Sequence, residues 1–389
     1  MRTALATLAL LLAACGAPTC PPPSVKLDGP ATLTVEDGGF ATALLGFHGG
    51  TQAFLFDTGF DRTSLDPSAA DGVNLSKVSF AIGQSSVGPV QADVLLSPLG
   101  KSVIGNDVLH QLPLIFDPQA GTIDVRPSFG APSEDAVPID FVHSDACRDD
   151  DAKHGAAGPY AMLVPVAVDG RELNLLLDTG ADVTFIRKST YDLMNGRSKL
   201  SSIKVGTAFA GIILASATRA KTIAIGSRSV SNAAVFAASA ADDALNARQA
   251  QYSDLCKCTK KVDGLLGWNV LRNFRVSLAE AKDANNGRTL QLEPLTGTNW
   301  PREFIGVGAY FSNSDAPSGL KIDSFLSRSP AKDAGLAVGD VITKVNGQPA
   351  LQAPIPFAPA GTQVAIEAQH GSTTLNVNVT VEDLLPDPP

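Results

Sequence analysis

Two segments of this 389-residue chain carry an aspartate in a setting suited to acid–base chemistry. One runs Phe54-Leu-Phe-Asp57-Thr58-Gly59-Phe60 and continues to Leu65; the other runs Leu175-Leu-Leu-Asp178-Thr179-Gly180-Ala181 and continues to Ile186. Each is an apolar run that ends on Asp-Thr-Gly, followed by a short polar stretch that returns to an apolar residue. Two carboxyl groups brought to about 3 Å cannot both ionise cheaply, so one keeps a proton while the other acts as a base. Such a pair can activate a water and protonate a carbonyl oxygen, which amide hydrolysis needs when neither a metal nor a covalent nucleophile takes part. Asp57 and Asp178 are therefore the candidate catalytic residues. Gly59 and Gly180 permit the tight turn that exposes each carboxylate to backbone N–H donors.

One Asp-Thr-Gly by itself describes no more than a strand ending in a turn. Here the surroundings repeat as well. Ser102-Val-Ile-Gly105 matches Gly264-Leu-Leu-Gly267, and each leads into a strand-like stretch (112–116 and 274–278) and a closing strand (122–125 and 289–292). Matched features in the same order make this an internal repeat. The pattern resembles the retropepsin-like aspartic peptidases over residues 31–127 and 160–294. That resemblance implies a mainly β fold, in which two retropepsin-like β-barrel halves form an intramolecular pseudo-dimer within a monomer. It also implies that Thr58 and Thr179 interlock across the pseudo-twofold axis as scaffold for the pair. The activity implied is aspartic endopeptidase action on protein or peptide substrates, with no cofactor and no metal.

The departures from the family pattern are specific. Pepsin-like members carry Ser or Thr after the glycine, donating to the carboxylate, whereas this chain has Phe60 and Ala181. Loss of a donor to the charged form raises the pair's pKa values, which predicts activity at less acidic pH. The second copy is also longer between its aspartate and its apolar-apolar-Gly glycine. The additional stretch, residues 195–221 with Gly206 to Gly211 at its centre, predicts a single hairpin flap contributed by the second half. A polar, Ala-rich segment from Ser239 to Lys261 reads as an inserted helix and loop.

From Pro301 the composition changes. Ser329-Pro-Ala-Lys-Asp-Ala-Gly335 reads as a short helix with a Ser cap, Pro at its first position and a Gly stop. Gly339-Asp-Val-Ile-Thr-Lys-Val-Asn346-Gly347 reads as a strand entering a tight hairpin. The series resembles a bacterial PDZ domain, which implies a peptide ligand added as a strand beside a carboxylate-cradling loop, here Gly306, Val307 and Gly308. The long helix expected after Gly347 is opposed by Pro354, Pro356 and Pro359, so one groove wall is missing or remodelled.

At the other end, Arg2 and the apolar stretch Ala4 to Leu12 lead to Leu12-Ala-Ala-Cys15, too short to span a bilayer. This resembles the lipobox of bacterial lipoproteins, which implies a signal peptide over 1–14, lipid attachment at Cys15 and a location in the bacterial cell envelope, held to the membrane by the lipid. A Pro-rich tether over 15–30 precedes the first half (31–130), a linker (131–159), the second half (160–296) and the PDZ-like domain (301–386). Export makes a disulfide from Cys147 to Cys256 or Cys258 the expected use of those cysteines, with a zinc site including His143 or His154 as the competing arrangement. A net charge of −9 and a pI near 5.0 argue against nucleic-acid binding, because no basic patch is available to neutralise phosphates. A binding protein that keeps the peptidase fold without activity is the alternative function.

Overall fold

The computed structural model describes residues 25, 27–36, 41–94, 101–128, 133–143, 160–194, 196–207, 211–256, 260–280, 288–298, 300, 302–315, 317–352 and 359–388. Cys15, Cys147, His154 and Cys258 lie outside them, and so do the expected signal peptide, lipid site and disulfide.

The repeat in the sequence becomes a repeat of strands. The first half contains β1 (Ala31–Thr34), β2 (Thr42–Phe47), β3 (Gly50–Phe56), β4 (Ser64–Leu65) and β5 (Val78–Ile82). It continues with β6 (Ser85–Val90), β7 (Asp93–Val94), β8 (Ser102–Ile104), β9 (Leu114–Asp117) and β10 (Thr122–Val125). The second half contains β11 (Val137–His143), β12 (Tyr160–Val168), β13 (Arg171–Leu177), β14 (Thr184–Ile186), β15 (Leu200–Thr207) and β16 (Gly211–Arg219). It closes with β17 (Thr222–Ile225), β18 (Arg228–Ser231), β19 (Ala234–Ala237), β20 (Gly264–Leu266), β21 (Phe274–Glu280) and β22 (Arg288–Pro294).

The first half's sheet runs β6-β5-β2-β3-β8-β4-β7, and the second half's runs β18-β17-β12-β13-β20-β14-β19 before continuing into β16 and β15. Position for position the order is the same. Both halves pair the strand before Asp-Thr-Gly in parallel with the apolar-apolar-Gly strand, β3 with β8 and β13 with β20. Parallel pairing buries both faces, and the last three residues of β3 and of β13 are buried without alternation. A third set of strands, β1-β10-β9-β21-β22-β11, joins the halves in one antiparallel arrangement with β9 and β21 side by side at its centre. Ile115 lies opposite Ser277 there, on the pseudo-twofold axis. One apolar core extends through both halves, with Phe116 packed edge-on to Trp268 at 5.7 Å between ring centroids.

Two segments differ from the sequence reading. The connection expected between the halves contains β11, which pairs with both β22 and β12. Val137 and Ile139 face the core while Pro138 is exposed. Within the expected tether, Val25 and Leu27 pack against the main core, and the Val25 amide donates to the Gln111 side chain at 3.2 Å.

The C-terminal module contains β23 (Ile305–Gly306), β24 (Ala309–Asp315), β25 (Ser318–Phe325), β26 (Val341–Val345), β27 (Gln348–Pro349), β28 (Gln363–His370), β29 (Thr373–Thr380) and β30 (Glu382–Asp383). Its sheet runs β24-β25-β26-β28-β29 over a core of its own that includes Ile322, Ile342, Ile366 and Val379. Ser329 caps the helix Pro330–Asp333 by accepting from the Lys332 amide at 3.2 Å. Asn346 and Gly347, at φ 50° and 78°, make the tight hairpin. Between Gly347 and Thr362 no helix occurs among the described residues; Pro354 and Pro356 lie outside them.

The module rests on the β15–β16 hairpin. Ile203, Ile213 and Ala215 share a cluster with Leu384 and Leu385, and Phe304 packs against it. The Lys204 amide donates to the Tyr310 hydroxyl and the Ser201 amide to the Ser327 hydroxyl, both at 2.8 Å. Arg219, with its side chain 2% exposed, ties the hairpin down by donating to the carbonyls of Leu385 at 2.6 Å, Glu303 at 2.8 Å and Asn232 at 2.9 Å. Arg219→Met leaves those carbonyls without this donor and the Glu303 carboxylate with Arg272 but not Arg219. It is expected to cost about 3 kcal/mol, read as roughly hundredfold faster amide exchange in β15 and β16. Unchanged protection would show that this cluster does not hold the hairpin.

Candidate active site

Each half delivers its aspartate in the same way. The Asp57 amide donates to the Ile104 carbonyl at 3.0 Å, and the Asp178 amide to Leu266 at 3.1 Å, so both residues are pinned at the ends of β8 and β20. The turn folds back at once: the Asn106 amide donates to the Phe60 carbonyl, and the Trp268 amide to Ala181, each at 2.8 Å. Two unlike side chains then do the same job. Asn106 Nδ2 donates to the Thr58 carbonyl and Trp268 Nε1 to the Thr179 carbonyl, both at 2.6 Å. Gly105 and Gly267 must be glycine because a Cβ at either would collide with the backbone of the turn it supports, near Arg62 and Val183.

Across the axis the turns interlock. The Thr58 amide donates to Thr179 Oγ1 and the Thr179 amide to Thr58 Oγ1, both at 3.0 Å. Each hydroxyl in turn donates to a carbonyl of the opposite strand, Thr58 to Leu177 at 2.8 Å and Thr179 to Phe56 at 2.5 Å. Both threonines are 1% exposed. The interlock brings the carboxyl groups of Asp57 and Asp178 into hydrogen-bonding contact. Gly59 and Gly180 are the floor of this contact: a Cβ at Gly59 would land on the Asp178 carboxyl, and one at Gly180 on that of Asp57. The same glycines supply N–H donors, Gly59 to Asp57 Oδ1 at 2.7 Å and Gly180 to Asp178 Oδ1 at 3.0 Å.

Burial and, next, the charge of Asp178 hold Asp57 well above the ordinary carboxylate range; burial also raises Asp178, against the hydrogen bond from Asp57. The pair therefore keeps one proton to higher pH than separate carboxyls would. Phe60 is half-buried against the main core, and its bulk fills space behind the turn without disturbing the Asp57 geometry.

The structure brings Asp57, Thr58, Gly59, Asp178, Thr179 and Gly180 to one place. Gly306, Val307 and Gly308 stand apart from them in the C-terminal module. Val307 is buried, with its carbonyl accepting from the Ala331 amide at 3.0 Å, and Gly308 has a φ of 74°. Arg248, Asn106 and Trp268 were not singled out from the sequence. The last two could have been, since they occupy equal places after the paired glycines. Arg248, on the inserted helix Ser239–Cys256, donates to the Gly59 carbonyl at 3.0 Å and pairs with Asp61.

Symmetry also exposes an odd member. Asp107 Oδ1 accepts from the amide and hydroxyl of Thr63 at 2.9 Å, as Asn269 Oδ1 accepts from those of Thr184 at 2.8 Å. Burial pushes Asp107 from 3.8 up to about 7, despite the Thr63 donors, the Val108 amide and Arg62. A carboxyl raised in the folded state favours folding below its unfolded value and loses that contribution as pH rises through the folded one. Asp107→Asn cannot ionise. It is expected to match the wild type in urea unfolding at or below 3.8, to exceed it increasingly from there to about 7 and to keep that lead at higher pH; a gap that is constant throughout would contradict this.

Residues 164–270 match the family model described as aspartyl protease, and residues 322–355 match that of a PDZ domain. No curated protein matches the chain. Among solved structures, the chain is similar to the HtrA3 PDZ domain bound to a phage-derived ligand, at 23% identity over 20% of this chain and 85% of that one, with a TM-score of 0.18. It is similar to a retropepsin-like aspartic protease from Rickettsia conorii, at 13% identity over 40% of this chain and 90% of that one, with a TM-score of 0.22. It is also similar to an aminopeptidase N family protein from Idiomarina loihiensis, at 19% identity, 36% of this chain, only 24% of that one and a TM-score of 0.20. The second half thus matches the aspartyl protease family model, the first half repeats the strand order of its sheet without β15 and β16, and a match to a PDZ domain follows.

Proposed function

We propose that this protein is an aspartic endopeptidase whose Asp57/Asp178 pair hydrolyses peptide bonds in the bacterial cell envelope. The carrying observation is that each carboxyl lies over the glycine of the opposite turn and receives its own turn's N–H. A scaffold gains nothing from two buried carboxyls in contact, since their desolvation and repulsion oppose folding. In the hydrolysis, the ionised member takes a proton from water as the water attacks the peptide carbonyl, while the protonated member donates to the carbonyl oxygen. The tetrahedral intermediate collapses with proton transfer to the leaving nitrogen, and the pair is restored with one proton. No cofactor enters.

The β15–β16 hairpin serves as the flap. Ile203 and Ile213 are buried on one face of it, whereas Ile212 and Leu214 on the other face are 73% and 67% exposed and offer apolar surface to a substrate chain. Gly306, Val307 and Gly308 form the carboxylate loop of the PDZ domain, beside β24, which among the described residues pairs only with β25. Leu12-Ala-Ala-Cys15 supports anchoring through a lipid on Cys15.

The test is cleavage of a denatured protein pool between about pH 3 and 7. Asp57→Asn and Asp178→Asn are each expected to lower the rate about a thousandfold or more, because both carboxyls act in one step. The retained proton predicts that activity reaches above the ordinary carboxylate range; a profile confined to strongly acidic pH would contradict that. A folded wild type that cleaves nothing would favour a binding protein on the peptidase fold.

A further inference from the structure

The long helix Ser239–Cys256 lies between β19 and β20, where the first half passes from β7 to β8 without a helix among the described residues. It is fixed to the second half. Tyr252 is fully buried in a cluster with Leu245 and Val262, Arg187 donates to Asn246 at 2.6 Å, and the Gln249 carboxamide accepts from the Val262 amide at 2.6 Å. From this platform Arg248 reaches into the first half. One guanidinium nitrogen donates to the Gly59 carbonyl at 3.0 Å, and another pairs with Asp61 and donates to the Tyr252 hydroxyl at 3.1 Å. Arg248 and Asp61 have side chains 17% and 13% exposed, so the contact is largely shielded from water.

Gly59 is the residue whose N–H holds Asp57 and whose missing Cβ admits Asp178. A fork that grips its carbonyl from the opposite half fixes both functions together. We propose that Arg248 is a positioning residue for the pair, clamping the Asp57-Thr58-Gly59 turn from the other half and supplying the positive charge that stabilises the ionised member. This rests on the reading of Asp57 and Asp178 as the hydrolytic pair. The charged groups acting on the two carboxyls are each other and Arg248, which favours the ionised form of both. Arg248 itself faces Asp61 from the turn and Tyr252 from its own helix. The corresponding turn of the second half differs: there burial raises Asp182, opposed by the charge of Lys101 from the first half.

Arg248→Gln keeps a donor but removes the charge, and Arg248→Lys keeps the charge but removes the fork. In the full chain, each variant is compared with the wild type by the pH dependence of kcat and KM on a peptide cut from the denatured pool. The carboxyl carbons of Asp57 and Asp178 are titrated by NMR, assigned with the Asn variants. Arg248→Gln is expected to lower kcat about ten- to a hundredfold at nearly unchanged KM, to move both limbs of the profile to higher pH and to raise both apparent pKa values. Arg248→Lys is expected to lower kcat with profile and titration close to wild type. Unchanged limbs and titration in folded Arg248→Gln would overturn the electrostatic role, and wild-type kcat in Arg248→Lys would overturn the clamp. If the wild type cleaves nothing, the peptidase reading fails while the NMR titration still decides the action of Arg248 on the pair. If Arg248→Gln does not fold, Arg248→Lys decides the clamp.

Discussion

Two carboxyl groups buried in contact repel whenever both ionise, so the backbones that carry them must be prevented from parting. Four hydrogen bonds between Thr58, Thr179 and the strands before them provide that restraint. Each hydroxyl is both acceptor and donor, so each bond depends on the other half being in place. Four bonds in a water-free setting are worth more than their exposed equivalents, because breaking any one leaves a buried polar group unsatisfied. The demand for mutual contact forces the rest of the symmetry. The strand order must repeat, the central β9–β21 pair must lie on the axis, and each aspartate must leave its strand at the same depth.

Within that frame, position fixes a role and leaves the residue free. Asn106 and Trp268 share neither shape nor polarity, yet each anchors the carbonyl of the threonine in its own half. Asp107 and Asn269 accept the same two donors, and only one of them can ionise. Phe60 and Ala181 follow the paired glycines with very different volumes. The first half accommodates the larger side chain against its core while keeping the same bonds from the turn.

The parts legible in the sequence are those whose physics is local. Asp-Thr-Gly after an apolar run, and a glycine after two apolar residues, are short patterns, and doubling made them decisive. Unequal spacing between them located the hairpin β15–β16 without any contact being known. What stayed hidden depends on distance along the chain. Arg248 meets Gly59 across 189 positions and Arg219 meets Leu385 across 166, and no periodicity reports such pairs. β11 was hidden differently: Val137, Ile139 and Phe141 alternate with Pro138 and Asp140, but a proline demotes a strand reading, and the pairing is supplied by β12 and the remote β22.

The two asymmetric additions, hairpin and inserted helix, both belong to the second half, and the helix acts on what the first half cannot hold alone. The helix grips the first turn from outside its own half. The hairpin is seated by one face, where Ile203, Ile213, Ala215 and Ala217 are buried in a cluster with Leu384 and Leu385, and open on the other, where Lys204, Gly206, Ile212 and Leu214 are exposed. Buried contacts along that face place the hairpin from Ile203 to Ile213 at the stable end of local opening. The C-terminal module, bonded to Ser201 and Lys204 and sharing a cluster with Ile213, therefore restrains the hairpin along its length and not only at its root.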